Sequence, residues 1–321
     1  MKALAGATLL ARPPTGLAQQ PTRVARIGVL RLGSASEHAS RVEQLRAGLR
    51  DFGYVEGKNL VIEFRWAEGK HERLPELAAE LVRLKVEVIA TEGTPDTLAA
   101  KRATTTIPIV MASVGDAVAS GIVASLARSG GNLTGTTIFS PELMAKRLEL
   151  LMEALPSTRQ VAVLMNPANP VQELSWQAMV NSARSMKVGV HRFEARRPNE
   201  FESAFSAMAR QRVDAVVITQ DGMYLSNAGA LADLAAKQRL PSIAFSEFAE
   251  AGGLIGYGVD ILELNRRAAY FVDKILKGAK AGEIPVERPT KFTLVINLKT
   301  AKALDLKIPP SILLRADRVI E

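Results

Sequence analysis

Cysteine is absent from the 321-residue sequence, and aromatic residues make up only 5% of it. The lack of cysteine excludes disulfide bonds, thiol catalysis, cysteine-ligated metals and a lipid-modified cysteine anchor. The three histidines, His38, His71 and His191, lie in different segments without the spacing of metal ligands, so we expect no metal site. Beyond the N-terminal segment, no stretch is long and apolar enough to span a bilayer.

Signatures of common enzyme and cofactor sites are also missing. After the first apolar strand Gly33 stands alone, without a G-x-G-x-x-G fingerprint, which disfavours a dinucleotide site. There is no G-x-S-x-G nucleophile elbow. The segment Gly53–Asn59 resembles a phosphate loop, but its glycines are one residue too close and a strand follows, so we interpret it as a turn. We therefore expect no cofactor and no catalytic residues.

Basic residues outnumber acidic ones, 41 against 33, which gives a net charge of +8. A nucleic-acid-binding surface requires that charge on one face, with aromatic or glycine-rich interleaving. Here Lys and Arg are spread along helices close to Glu or Asp, as in Arg41 and Glu43. The pattern indicates a solvated surface and no nucleic-acid partner.

The sequence does contain a repeated unit: a β-branched apolar run, a loop of small polar residues, and the start of a helix. Six runs follow this pattern, at Ile27–Leu30, Val86–Ala90, Ile107–Met111, Val161–Met165, Val213–Thr219 and Ile243–Phe245. Strands that alternate with helices predict an α/β fold with parallel sheets. In such sheets the loops at the carboxyl ends of the strands line the ligand crevice, where helix N-termini offer unpaired N–H groups.

Two sets of these units predict two doubly wound lobes joined by several chain crossings that form a hinge. We expect one lobe over residues 24–136 and 260–290 and the other over residues 137–259 and 291–321. The segment 116–137 interrupts the alternation, and residues 252–260 are interpreted as a crossing. A single helix is expected over Leu225–Gln238.

The first 18 residues resemble a secretory signal. Lys2 precedes an apolar stretch, and small residues at Gly16 and Ala18 suit cleavage after Ala18. This segment predicts export through the inner membrane into the periplasm, without a lipid anchor.

Two acidic residues, Asp116 and Asp221, directly follow buried strands in glycine-containing loops. They could form an acid–base pair across a cleft, cap helices, or accept an ammonium group of a ligand. Tyr257 stands between two glycines near the expected hinge, where it could cover a ligand when the lobes close.

Nine segments of the chain carry a family pattern: Gly48–Gly57, Leu74–Val82, Ile107–Val110, Ser113–Asp116, Leu126–Arg128, Gly130–Asn132, Asn166–Pro170, Val295–Leu304 and Ile308–Pro310. Together they resemble the bacterial ABC transporter substrate-binding protein family, whose members include tryptophan- and other aromatic-amino-acid-binding lipoproteins. The resemblance begins near Arg26 and spans nearly the whole chain. Two departures are Ala117, where proline often follows the aspartate, and the loop Gln220–Met223, where a proline is common.

This resemblance implies a type I periplasmic-binding-protein fold, capture of a small ligand between the lobes, and delivery to an ABC permease in the inner membrane. The family's pocket positions fall on Ser34, Gly93, Thr94, Pro95, Asp116, Asn166, Asp221 and Phe245. We expect a monomer that binds a carboxylate-bearing solute, such as an amino acid or an aromatic compound.

Two other functions stay open at this point. A two-domain enzyme could use Asp116 and Asp221 as acid and base. A ligand-sensing core of a repressor is a second alternative, although the residues before the first strand are too few and too proline-rich for a DNA-binding helix pair.

Overall fold

The computed structural model describes residues 24–321, so the signal-like segment at residues 1–18 lies outside the described residues. Strands alternate with helices through the first part of the chain. These elements are β1 (Ala25–Arg31), α1 (Ala39–Asp51), β2 (Leu60–Trp66), α2 (Leu74–Arg83), β3 (Val88–Thr91), α3 (Thr94–Ala103), β4 (Ile109–Val114) and β5 (Leu133–Thr137). The five strands form one parallel sheet in the order β2-β1-β3-β4-β5.

The same alternation continues through the rest of the chain. Its elements are α4 (Ser140–Ala154), β6 (Gln160–Met165), α5 (Val171–Met186), β7 (Gly189–Glu194), α6 (Phe201–Arg210), β8 (Ala215–Ile218), α7 (Gly222–Ser226), α8 (Ala228–Lys237), β9 (Ser242–Ala244), α9 (Ser246–Glu250), β10 (Ile255–Gly258), α10 (Ile261–Leu276), β11 (Thr293–Asn297), α11 (Leu298–Ala303), α12 (Pro310–Leu313) and β12 (Arg318–Ile320). Seven strands form a second sheet, β12-β11-β10-β9-β8-β6-β7, in which only the β10–β11 pairing is antiparallel.

Both sheets carry helices on both faces, which is why their central strands are continuous apolar runs. In the first lobe, α2 and α3 cover one face, and α1 with α10 covers the other. Gly48 in α1 has no side chain to keep the helices apart, because a Cβ there would lie 2.5 Å from the carbonyl oxygen of Arg266 in α10. Helix α10 follows the second sheet in sequence but packs on the first. The prediction of two α/β lobes with parallel sheets is confirmed.

The chain passes between the lobes after β5, after β10 and before β11. The last of these crossings runs beside β5, where the Thr137 amide donates to the Glu287 carbonyl (3.0 Å) and the Glu287 amide donates to the Gly135 carbonyl (2.8 Å). The buried side chains of Ile138, Val259, Ile261 and Leu264 pack together with Leu225 at this point. We call these five residues the hinge cluster.

The structure contains two strands and one break in a helix that the sequence analysis did not predict. The interrupted segment ends in β5, and the presumed crossing at 252–260 contains β10. Both strands contain glycine, which lowers a β signal, and Gly256 is required because a Cβ would crowd the Ser246 backbone. The single helix expected over Leu225–Gln238 is two helices, α7 and α8, separated at Asn227. Between residues 24 and 321, no helix combines the length and the apolar character needed to cross a membrane.

Candidate functional site

A cavity of about 620 Å³ lies between the lobes, within the size range of small-molecule sites. Its walls are the loops that follow β1–β4 in the first lobe and β6–β8 in the second. Six of the residues predicted for the site line it: Ser34, Gly93, Thr94, Pro95, Asn166 and Asp221. Ile138, Leu225 and Ile261 of the hinge cluster form its apolar end.

The N-terminus of α3 forms part of the first-lobe wall. Gly93 precedes this helix with a φ of 88°, a left-handed conformation that glycine adopts without strain. Its amide donates to the Ser113 carbonyl (2.9 Å), and the Thr94 hydroxyl oxygen accepts from the Gly115 amide (3.3 Å). These bonds fix the start of the helix against β4, so that the partial positive charge of its N-terminus faces the cavity.

Ser34 lies in the loop after β1, on the same wall. Its hydroxyl donates to Oε2 of Glu37 (3.0 Å), and the same carboxylate oxygen accepts from the Ser34 amide (2.6 Å). The Ser34 oxygen in turn accepts from the Glu37 backbone amide (3.3 Å), so the hydroxyl is held within its own loop.

Asp221 occupies the opposite wall, after β8, and is only 5% exposed. Its carboxylate accepts from the Asn169 side-chain amide (2.9 Å), the Asn166 side-chain amide (3.3 Å) and the Met223 backbone amide (3.0 Å), the last of which caps α7. All of these donors are neutral, so the wall presents a fixed negative charge to a ligand in the cavity.

The other three predicted residues lie outside the cavity. Asp116 accepts from the backbone amides of Val118 (3.1 Å) and Ala119 (2.9 Å) and so stabilises its own turn. Phe245 is fully buried in the second core, and Tyr257 stacks on Phe292 with ring centroids 6.0 Å apart. Because Asp116 does not face Asp221 across the cavity, an acid–base pair of these two residues has no geometric basis here.

Sequence reasoning missed a buried ionic network behind the first-lobe wall. We call its members, Arg31, His38, Arg41, Glu92 and Asp96, the wall network; each is at most 8% exposed. Arg41 Nη1 donates to Glu92 Oε1 (2.9 Å), Arg31 Nε lies 3.6 Å from Glu92 Oε2, and the Asp96 carboxyl accepts from the Glu92 amide (3.2 Å). Of these residues, His38, Glu92 and Asp96 line the cavity. The sequence hints at this network in one way: Arg31 directly follows an apolar strand, and two acidic residues, Glu92 and Asp96, flank Gly93–Pro95.

Burial sets the protonation states in the wall network. It raises the pKa of Asp96 to about 8, so that this carboxyl is protonated at neutral pH, and it lowers the pKa of His38. Burial also acts to raise the pKa of Glu92, but the positive charges of Arg41 and Arg31 and the nearby His38 outweigh it and hold that pKa well below its ordinary value. Glu92 is therefore the single anion of the wall network, beside the guanidinium groups of Arg31 and Arg41.

The wall network contacts both the hinge and the second lobe. Arg31 Nη2 donates to Asn265 Oδ1 (3.2 Å) in the hinge-following helix α10. Arg41 Nη2 donates to the Ser226 hydroxyl (3.4 Å) at the end of α7, across the cleft. The network thus joins the two lobes beside the cavity.

A buried arginine also organises the second-lobe wall. Arg147 donates to the carbonyls of Tyr257 (2.9 Å) and Ile218 (3.2 Å) and to Gln220 Oε1 (2.7 Å). Burial lowers its pKa to about 9, which leaves it charged at neutral pH. These bonds fix the loop that carries Asp221. Within the described part of the chain, His, Asp and Glu side chains form no group suited to a metal ion.

The comparisons with known proteins agree with a binding site of this kind. A tyrosine-binding protein from Clostridioides difficile is 28% identical over 260 residues, which cover 81% of this chain and 74% of that protein. A domain from Streptococcus pneumoniae, solved in complex with L-Trp, has a TM-score of 0.85 at 25% identity and covers 92% of this chain and 100% of its own.

A substrate-binding protein from Clostridium difficile with adhesive properties, solved ligand-free and open, gives a lower TM-score. That score is 0.66, at 25% identity and with 92% of this chain and 99% of that chain covered. At equal identity and coverage of this chain, the present structure therefore superimposes better on the L-Trp complex than on this open form. The fold is that of type I periplasmic binding proteins.

A family model described as ABC transporter substrate binding protein matches residues 26–320, which include both sheets, all the hinge crossings and the interlobe cavity. Members of this family bind solutes and are not enzymes, in agreement with a cavity whose charged groups are fixed by structural hydrogen bonds. The chain belongs to the ABC transporter substrate-binding protein family.

Proposed function

We propose that this protein is the periplasmic solute-binding component of an ABC importer. In this role it captures a small amino-acid-like ligand between its lobes, as a monomer, and delivers it to a permease in the inner membrane. Family membership supports the transport role, and the signal-like sequence of residues 1–18 supports export. Recovery in the osmotic-shock fraction of expressing cells tests the location.

The observation that carries the ligand proposal is the pairing of the α3 N-terminus with Asp221 on opposite sides of the cavity. The α3 N-terminus, with the hydroxyl of Thr94, suits a carboxylate. Asp221, held by neutral donors, suits an ammonium group. A ligand with both groups at adjacent positions is an α-amino acid, and two of the three relatives named above are described with tyrosine and L-Trp.

Thermal-shift screening against amino acids, organic acids and sugars tests the ligand class, since a ligand that binds only the folded state raises the melting temperature. Isothermal titration calorimetry then gives the affinity of the best compound. We expect Thr94→Ala, and separately Asp221→Asn, to weaken binding about tenfold or more, because each removes a charge-assisted hydrogen bond to the ligand.

Asp116→Asn is the matched control, since Asp116 also follows a strand but lies outside the cavity. Its affinity should match that of the parent protein. Unchanged affinity in Asp221→Asn, or stabilisation by sugars alone, would contradict the proposed ligand class.

A further inference from the structure

At one place in the cavity wall, the second lobe packs against a residue of the first lobe that has no side chain. Gly115 lies in the loop after β4, and Val171 is the first residue of α5; both line the cavity. A Cβ atom at position 115 would lie 2.8 Å from both Cγ atoms of Val171, well inside the ordinary contact distance of 3.4–4 Å. The second lobe therefore occupies the space that a larger residue at position 115 would need.

Packing, and not backbone conformation, requires the glycine at this position. Gly115 does not have the positive φ that would exclude other residues. Each staggered rotamer of Val171 leaves at least one of its two methyl groups against Gly115, so rotation of that side chain does not clear the space. Ser140 Oγ lies 3.0 Å from the same Cβ position, but it makes no hydrogen bond within residues 24–321 and can change rotamer without losing one. Val171 is thus the residue that a Cβ at position 115 would displace.

Each side of this contact is tied to one of the two groups that the proposed function assigns to the ligand. The Gly115 amide donates to the Thr94 hydroxyl (3.3 Å) at the N-terminus of α3. On the other side, the Val171 amide donates to Asn169 Oδ1 (3.3 Å), and the Asn169 side-chain amide donates to the Asp221 carboxylate (2.9 Å). The approach of the lobes at Gly115 and Val171 therefore sets the separation between the carboxylate site and the ammonium site.

Both sides of the contact are held firmly. The Gly115 carbonyl accepts from the Ser140 amide (2.8 Å), where the chain enters α4. The side chains of Val171, Asn169 and Asp221 are all buried. Because closely packed groups move little, the separation is fixed by the protein and is not adjusted to each ligand.

We propose that Gly115 is a specificity-determining residue. By letting the lobes approach at Val171, it fits the two sites to an α-amino acid, in which one carbon atom joins the ammonium and carboxylate groups. Two carbon atoms join these groups in a β-amino acid, whose wider spacing fits the same separation less well. This inference rests on the proposed function, which assigns the two sites.

The test compares L-tryptophan with L-β-homotryptophan and L-tyrosine with L-β-homotyrosine. Within each pair, the second compound has one more methylene group, placed between the amino-bearing carbon and the carboxylate. Calorimetry on the parent protein should show a preference of about tenfold or more for the α-amino member of the pair that binds better. Gly115→Ala should reduce this preference about threefold or more, because its Cβ holds the walls apart and the α-amino acid no longer reaches both sites.

A second substitution supplies a rescue. Val171→Ala removes both Cγ atoms that a Cβ at position 115 would meet, so Gly115→Ala should change the preference less than about twofold when it is made in Val171→Ala. Gly131→Ala is the matched control, since a Cβ there has open space and the residue lies outside the cavity. Its preference should equal that of the parent protein.

The remaining outcomes separate this inference from the proposed function. Equal binding of both members of each pair by the parent protein, a measurement that needs no variant, overturns the inference. The inference is also wrong if Gly115→Ala weakens both members by the same factor, or if the change in preference persists in the double variant, because Gly115 then has only a structural role. If the parent binds none of the four compounds, the proposed ligand class itself fails.

Discussion

Replacing Asp96 by asparagine should make the protein more stable, and increasingly so as the pH rises. The Asp96 carboxyl is 1% exposed, and burial raises its pKa from 3.8 to about 8. Between these two values the folded chain keeps a proton that the unfolded chain has lost. Stability therefore falls as the pH rises through this window, and the loss is complete above about pH 8.

Asparagine resembles the protonated carboxyl and keeps an oxygen that can accept from the Glu92 amide (3.2 Å). Asparagine does not titrate, so the variant does not lose stability at this position as the pH rises. The free energy of unfolding of Asp96→Asn, minus that of the parent, should rise by about 1.4 kcal/mol per pH unit, to at most about 5 kcal/mol near pH 8.

Urea unfolding of both proteins at several pH values between about 5 and 8 measures this difference. His38, whose pKa burial lowers, titrates in both proteins, so the subtraction removes its contribution. A difference that stays constant with pH, or that shrinks as the pH rises, would refute the assignment of a neutral buried carboxyl at position 96.

Further predictions concern closure of the lobes, a glycine in strand β5 and a glycine in helix α8. Ser226→Ala removes the acceptor that Arg41 reaches across the cleft (3.4 Å), so the bound ligand should dissociate about three- to tenfold faster in stopped-flow measurements, with the urea midpoint unchanged. Gly135→Ala places a Cβ against the Met111 carbonyl at a φ of +128°, and should cost more than about 3 kcal/mol by urea unfolding. Gly229→Ala, in helix α8 with open space around it, should instead gain up to about 1 kcal/mol.

Periodicity in the sequence was enough to predict most of the fold. Each of the six apolar runs overlaps a strand of the structure, namely β1, β3, β4, β6, β8 or β9. Strands β5 and β10 were missed because tertiary packing, rather than β propensity, places Gly135 and Gly256 in a sheet.

For the site, the sequence predicts which loops line the cavity but not which side chains of those loops face it. Loops at strand ends identify Thr94 and Asp221, but which side chain in a loop faces the cavity depends on local turns that sequence does not fix. The Asp116 carboxylate caps its own loop. Phe245, which links β9 to α9, has its side chain buried in the core. The wall network was not predictable, because its central ion pair joins Arg41 and Glu92, which are 51 residues apart.

The wall network connects the two lobes beside the cavity through one series of contacts. It runs from Asn265 in α10 through Arg31, Glu92 and Arg41 to Ser226 in the second lobe. Removing one partner of a buried ion pair leaves a charge without compensation, at a cost of about 3–5 kcal/mol, so the series holds its geometry as a unit. A ligand shifts the balance between open and closed lobes only by its differential affinity for the two. The hydrogen bond between Arg41 and Ser226 crosses the cleft, so it favours the closed form and adds to the effect of a ligand that does the same.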